Sequence, residues 1–152
     1  MEISEDLNSK SIKFDKNNVL DYISNIYSAF ELIIDRDADY ENIDALSMAS
    51  DNVWCAGVIL GNPIENWKNI DFNTLKSTLY WNDETPQEAI IKDANPFDTL
   101  AWVINLRLSL NLNIPKGSKI ITGSVIKTRS PKKGDVVIYN VGNLSETKIR
   151  LI

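Results

Sequence analysis

The chain has no histidine and only one cysteine, Cys55, in 152 residues. Without imidazole, the usual Ser/His and Cys/His nucleophile pairs are excluded, and any proton transfer falls to carboxylates, Lys, Tyr or water. A lone cysteine builds neither an internal disulfide nor a thiolate metal site, which fits a reducing compartment. No apolar run approaches the roughly 18 residues of a membrane span, and the opening MEISEDLNSK is acidic and polar where a signal peptide is basic and then apolar. A cytoplasmic location with no membrane partner is expected. Positive charge is also scarce: 16 Lys and Arg face 21 Asp and Glu, a net charge of −5. That excludes a broad nucleic-acid footprint, which needs clustered cations facing phosphates. The nearest basic run, Lys127, Arg129, Lys132 and Lys133, reads as a solvated loop. Lacking a basic groove beside them, Trp67, Tyr80, Trp81 and Trp102 read as core packing and not as a platform for stacked bases.

What is present has the balance of an ordinary globular domain, 43% hydrophobic and 24% charged. No repeat, linker or low-complexity stretch interrupts it, so one domain over residues 1–152 is expected. At this length folding hides about two-thirds of the unfolded chain's surface.

Residues 95–128 carry the clearest local signals. Asn95 reads as an N-cap, Pro96 as the first helical residue and Asp98 as a first-turn acid suited to the helix dipole. Phe97, Leu100, Ala101, Ile104 and Leu108 then share one stripe, and residues 111–115 stop the helix. Residues 119–125 read as a β-branched strand broken at Gly123, where a missing side chain permits a bend or the close approach of a ligand. Upstream, Val19, Leu20, Ile23, Ile26, Tyr27 and Phe30 recur at helical spacing and predict a helix over residues 18–30. A buried strand FELII follows at residues 30–34, and residues 1–16 form a short strand or an extended lead-in. Asn42 is a candidate cap for a helix through Ile43, Leu46 and Ala49, followed by strands over residues 55–60 and 74–81. A turn near Asn82 and Asp83, a Lys-Lys-Gly turn and a closing hairpin of residues 135–141 and 147–152 complete the chain. Glu31 lies inside an apolar strand, where it either alternates to solvent or needs a partner.

The run NPFDTLAWVINLRLSLNLNIPKGSKIITGS, followed by PKKGDVVIYNVGNL, resembles the C-terminal portion of the 2-keto-4-pentenoate hydratase family, relatives of the fumarylacetoacetate hydrolases. AFELI resembles that family's PALEI strand, with Glu31 in the acidic position. DALSMASDNVWCAGVILG resembles its DTIADNASSAGFVLG block, with Trp54 where a small hydroxyl residue stands. The resemblance implies an α+β fold, a mixed β-sheet roll with flanking helices. It also implies a hydro-lyase that adds water to a small 2-oxo or 2-hydroxydienoic acid with Mg or Mn. Such an ion is held by carboxylate oxygens and stabilises charge on the oxo oxygen as a Lewis acid.

By the same resemblance the metal ligands are Glu31 and Glu2, the latter as the second acid of the family's E-x-E pair. The substrate contacts are Asp51, Asn52, Trp54, Gly123 and Ser124. No catalytic residue is assigned, because the family's first acid and its lysine segment fall before Met1. Two readings stay open: a hydratase-like enzyme completed by a partner chain that supplies the missing N-terminal portion, or a non-catalytic truncated homologue serving assembly. In either case a homo-oligomer or heteromer is expected, its interface around residues 30–34 and 119–125.

Overall fold

The computed structural model describes residues 1–8 and 11–152 and has an α+β architecture with three antiparallel sheets. The strands are β1 (Glu2–Ile3), β2 (Ile23–Asn25), β3 (Tyr27–Ile33), β4 (Cys55–Pro63), β5 (Lys76–Trp81), β6 (Gln87–Ile90), β7 (Val136–Val141) and β8 (Ser145–Arg150). The helices are α1 (Ala45–Ser50) and α2 (Pro96–Ser109). β1 pairs with β2 and β3 with β4, while the largest sheet runs in the order β6-β5-β7-β8.

Helix α2 starts and stops where its sequence predicts. Pro96 occupies the first turn, and the buried stripe is Leu100, Ala101, Ile104 and Leu108, with Phe97 edge-on to Phe72 at 5.4 Å. Asn95 enters the helix in the left-handed conformation, φ 43°, and its side chain makes no capping bond. The stripe packs into a core with Ile3, Leu7, Phe14, Val19, Ile23, Ile64, Trp67 and Ile114. Asn105 ties the lead-in to this helix: its Oδ1 accepts from Phe14 N at 2.9 Å and its Nδ2 donates to Phe14 O at 2.8 Å.

The predicted helix over residues 18–30 does not form. Asn18–Tyr22 make one 3₁₀ turn, and the chain then runs as β2 and β3. Val19, Ile23 and Ile26 are buried as their spacing requires, but a turn leading into a strand buries the same residues, and pairing with β1 and β4 wins over the local pattern. The second capping assignment also shifts: Asp44, not Asn42, caps α1, its Oδ1 accepting from Leu46 N and Ser47 N at 2.8 Å each.

Residues 119–125 are not a strand either. The backbone pairs with the N-terminal segment only as far as Ile120, whose N–H donates to Met1 O at 2.9 Å, and the chain beyond it is irregular. Earlier bonds in the same seam join Ile3 to Ser118 and Gly117, and Leu7 to Ile114. No strand forms over Ile12 and Phe14; residues 9 and 10 of that lead-in lie outside the described residues. β4, β5, β7 and β8 lie close to their predicted ranges.

The β3–β4 ribbon is joined to β8 by a bulge. Gly61 and Asn62 together oppose the single Ser28. Ser28 N–H donates to Ser145 Oγ at 3.0 Å, Ser28 Oγ lies 2.6 Å from Thr147 Oγ1, and Ser145 Oγ donates to Asn62 O. All three hydroxyl residues are buried and mutually satisfied. Gly61 is required here because a Cβ would lie 2.2 Å from the Glu146 carbonyl oxygen. Among the described residues no helix is long and apolar enough to cross a membrane.

Candidate functional site

The bulge sets β3 beside the inner face of the large sheet, and a cavity of about 320 Å³ opens between them. Its floor is Leu79, Tyr139 and Val141, and one wall comes from Tyr27, Ala29, Phe30, Glu31 and Ile33 of β3, with the Phe30 ring 6.0 Å from that of Tyr139. Phe97 and Pro96 at the start of α2 close another side, and residues 120–129 run across the mouth. The interior is mainly apolar, with polar groups at its margins, the usual character of a small-molecule site.

Glu31 is exposed and lines this cavity. Gly123 and Ser124 line it as well. Ser124 Oγ turns back on its own loop, accepting from Ile126 N at 3.2 Å and donating to Ile126 O. Gly123 has φ 94°, a conformation L side chains rarely adopt, with open space where a Cβ would be. Asp51, Asn52 and Trp54 are not among the lining residues. Asp51 pairs with Arg36, Asn52 is exposed, and Trp54 packs edge-on to Tyr40 at 5.6 Å.

Glu2 is held behind the pocket wall. Its carboxylate accepts from Tyr27 OH, from Asn25 Nδ2 at 3.0 Å and from Lys119 Nζ at 2.9 Å. The Tyr27 bond, then Lys119 and Asn25, pull its pKa down from 4.5 to about 2. Reciprocally, the carboxylate raises the Tyr27 phenol to about 12. Tyr27 and Glu31 sit four residues apart on β3, roughly 13 Å along an extended strand. Among the described residues no three His, Cys, Asp or Glu side chains converge as a metal-ligand set. A hard divalent cation takes about six or more oxygens. The carboxylates of this chain therefore do not by themselves complete a metal site.

Several pocket residues escape sequence reasoning. Tyr139 is one: burial pushes its phenol pKa up, which keeps it a hydrogen-bond donor, with the Ser77 hydroxyl acting in the opposite direction. Lys127 and Arg129 are others, for the run read as a solvated loop lies along the cavity mouth. Arg129 stacks over Trp81 at 4.3 Å and forks onto Glu84, Nη1 to Oε2 at 2.8 Å and Nη2 to Oε1 at 2.9 Å. Trp81 is fixed in turn, its Nε1 donating to Asp135 Oδ2 at 3.0 Å. Of the tryptophans read as core, Trp67 is buried, but Trp102 is 63% exposed on the outer side of α2.

An α+β domain with a mainly apolar pocket and one carboxylate, Glu31, at its wall is the class that the fold and site define, and known proteins resemble it in both sequence and structure. In sequence the chain is 29% identical to 2-oxo-hept-4-ene-1,7-dioate hydratase of Escherichia coli over 150 residues, 91% of this chain and 54% of that protein. It is 24% identical to 4-oxalocrotonate decarboxylase of Pseudomonas putida over 141 residues, 86% of this chain and 53% of that one. In structure it superposes on 4-oxalocrotonate decarboxylase from Pseudomonas putida G7, complexed with calcium and acetate, with a TM-score of 0.82 and 22% identity. That match covers 99% of this chain and 56% of the other. The same enzyme complexed with magnesium and adipate gives a TM-score of 0.81. No family model matches. The resemblance seen in the sequence thus holds in both sequence and fold, and the chain spans about half the length of the curated relatives it matches.

Proposed function

We propose that this chain is a hydratase-like domain whose pocket binds a small 2-oxo or 2-hydroxydienoic acid. The observation that carries the reading is the continuity of the likeness over nearly the whole chain to a hydratase and a decarboxylase, together with Glu31, Gly123 and Ser124 meeting at one cavity. In either reaction negative charge gathers on the 2-oxo oxygen. A divalent ion, Mg or Mn, supplies Lewis acidity there when bound. This chain's own residues bind and orient: Leu79 and Val141 exclude water, Tyr139 donates a hydrogen bond, and Glu31 offers a carboxylate. Glu31 would be the ion's first ligand and Glu2 a weaker second, since Tyr27, Asn25 and Lys119 already hold the Glu2 carboxylate. Asn52, Asp51 and Trp54 contact substrate only if their segment moves toward the cavity.

The incomplete ligand set favours completion by a partner that supplies the family's N-terminal portion, docking around residues 30–34 and 119–125 and extending the sheets into the mixed roll. It equally suits the second reading, a non-catalytic homologue that keeps the fold for assembly. Purified protein with magnesium and a 2-hydroxydienoate separates them: loss of the dienoate absorbance is expected for the enzyme and none for the assembly domain. In a manganese titration Glu31→Gln is expected to weaken binding, and an affinity equal to wild type removes the ligand assignment. Sedimentation at micromolar concentration is expected to show a species heavier than 17.2 kDa; a clean monomer that binds no apolar dye means the edges are already covered.

A further inference from the structure

The cavity changes character from mouth to floor. Glu31, Ser124, Lys127 and Arg129 stand at the mouth. Below them the lining is apolar, with Leu79, Val141 and Ile64 all buried in the protein behind it. Two pairs of rings complete the lining. Phe30 lies 6.0 Å from Tyr139 at an interplanar angle of 52°, and Phe72 meets Phe97 edge-on at 5.4 Å. All four rings are only partly buried, so apolar ring surface remains for a guest to cover. Among the described residues, the cationic side chains that line the cavity are Lys127 and Arg129, both in the segment across the mouth, and Arg129 is engaged by Glu84. The Met1 amine, which also borders the cavity, donates to the Ile120 carbonyl at 2.8 Å.

This gradient sets how an acid lies and what its far end can be. A second carboxylate would meet the floor with no cation to receive it, and a charge taken from water without a partner is costly. An apolar group gains there by the area it covers, and a flat ring gains again by packing at an angle to aromatic side chains. Size permits one, because 320 Å³ holds about ten waters at about 30 Å³ each, more than the head of a 2-oxo acid fills. We propose that the pocket selects acids with an aromatic ring at the end remote from the carboxylate, and that Tyr139 and Phe97 determine this specificity. The acid head stays at the mouth with Ser124 and Lys127, while the ring lies on the floor against Tyr139 and Phe97. This rests on the 2-oxo acid reading and deepens it by naming an aryl-tailed substrate, which sets the chain apart from the hydratase named for a dioate.

The test is calorimetric titration of the full chain, with magnesium present throughout, using 4-phenylbutanoate, hexanoate and hexanedioate, then 2-oxo-4-phenylbutanoate and 2-oxohexanedioate. The phenyl acid is expected to bind about tenfold tighter than hexanoate, and hexanedioate about tenfold weaker than hexanoate. Tyr139→Leu and Phe97→Leu each keep an apolar side chain and should weaken the phenyl acid about fivefold, while changing hexanoate by less than about twofold. The comparison of acids on the unaltered chain does not depend on either variant folding. Hexanedioate binding as tightly as hexanoate, no preference for the phenyl acid, equal loss of both monoacids in the two variants, or no binding of any acid overturns the proposal. If 2-oxohexanedioate binds tighter than both hexanedioate and 2-oxo-4-phenylbutanoate, the 2-oxo acid reading stands while the aryl tail falls. If 4-phenylbutanoate is preferred and a 2-oxo group adds nothing, the aryl tail stands and the 2-oxo acid reading falls.

Discussion

Two parts of this molecule are built on different principles. Around α2 and the first seven residues, Ile3, Val19, Leu100 and Ile104 are almost entirely removed from water. In the lobe formed by the end of β3, α1 and the turn before β4, no residue of α1 is buried, Leu46 is 83% exposed, and Ile33, Ile34 and Val53 face solvent. What shapes the lobe is local: Asp44 caps α1, Asp39 accepts from Asn42 Nδ2 at 2.6 Å, and Arg36 pairs with Asp51. Its turn holds three successive residues, Asn52, Val53 and Trp54, in the left-handed region, which is costly for a β-branched side chain. The contrast teaches where the familiar-looking sequence went. Of the stretches that resemble the hydratases, DALSMASDNVW sits in the lobe, while Glu31, Pro96, Phe97, Gly123 and Ser124 from the other two reach the pocket.

The strongest way to break the comparison is to open the core. Leu100→Ala removes a side chain with no exposure and is expected to cost about 3 kcal/mol, read from the urea midpoint. Next comes the seam between the two parts. Gly61→Ala sets a methyl against the Glu146 carbonyl and is expected to cost about 2 kcal/mol, with a changed near-UV spectrum as β4 moves off β8. A smaller effect concerns acid. Glu2 ionises at about 2 in the fold against 4.5 ordinarily, so its contribution is fully present above pH 4.5 and is lost as pH falls toward 2. Glu2→Gln is expected to lose about 1–2 kcal/mol at neutral pH and to flatten stability over that acid range, as measured by unfolding at several pH values. The smallest belongs to the lobe. Val53→Gly relieves the left-handed strain and is expected to stabilise by about 0.5 kcal/mol, because glycine's entropy cost offsets most of the relief. A loss in thermal unfolding would show that Val53 is held by something the lobe's exposure hides.

The parts legible in the sequence are those whose cause is local. α2 is readable because Pro96 and the stripe from Leu100 to Leu108 sit within one stretch. The β7–β8 hairpin is readable from alternation around Gly142. Residues 18–30 mislead because their spacing records burial faithfully, and a turn plus a strand buries Val19, Ile23 and Ile26 as well as a helix would. In the pocket, Glu31 could be found because a charge interrupts an apolar strand. Arg129 could not: it and Glu84 are 45 residues apart, and each read alone is an ordinary solvated charge. Ser28, Ser145 and Thr147 are invisible for a similar reason, since only the meeting of β3 with β8 turns three small hydroxyls into a buried network.

The pairing of the first seven residues with residues 114–120 also sets the order of events during folding. Met1 and Ile120 are 119 positions apart, and Ile3 and Leu7, both buried in the finished core, find these partners only when the chain beyond α2 is present. Closing so long a loop is slow compared with forming a hairpin or a helix. On a ribosome residues 1–7 must therefore wait until residues 114–120 are made, and a nascent chain stopped before residue 114 would leave those two side chains without their seam.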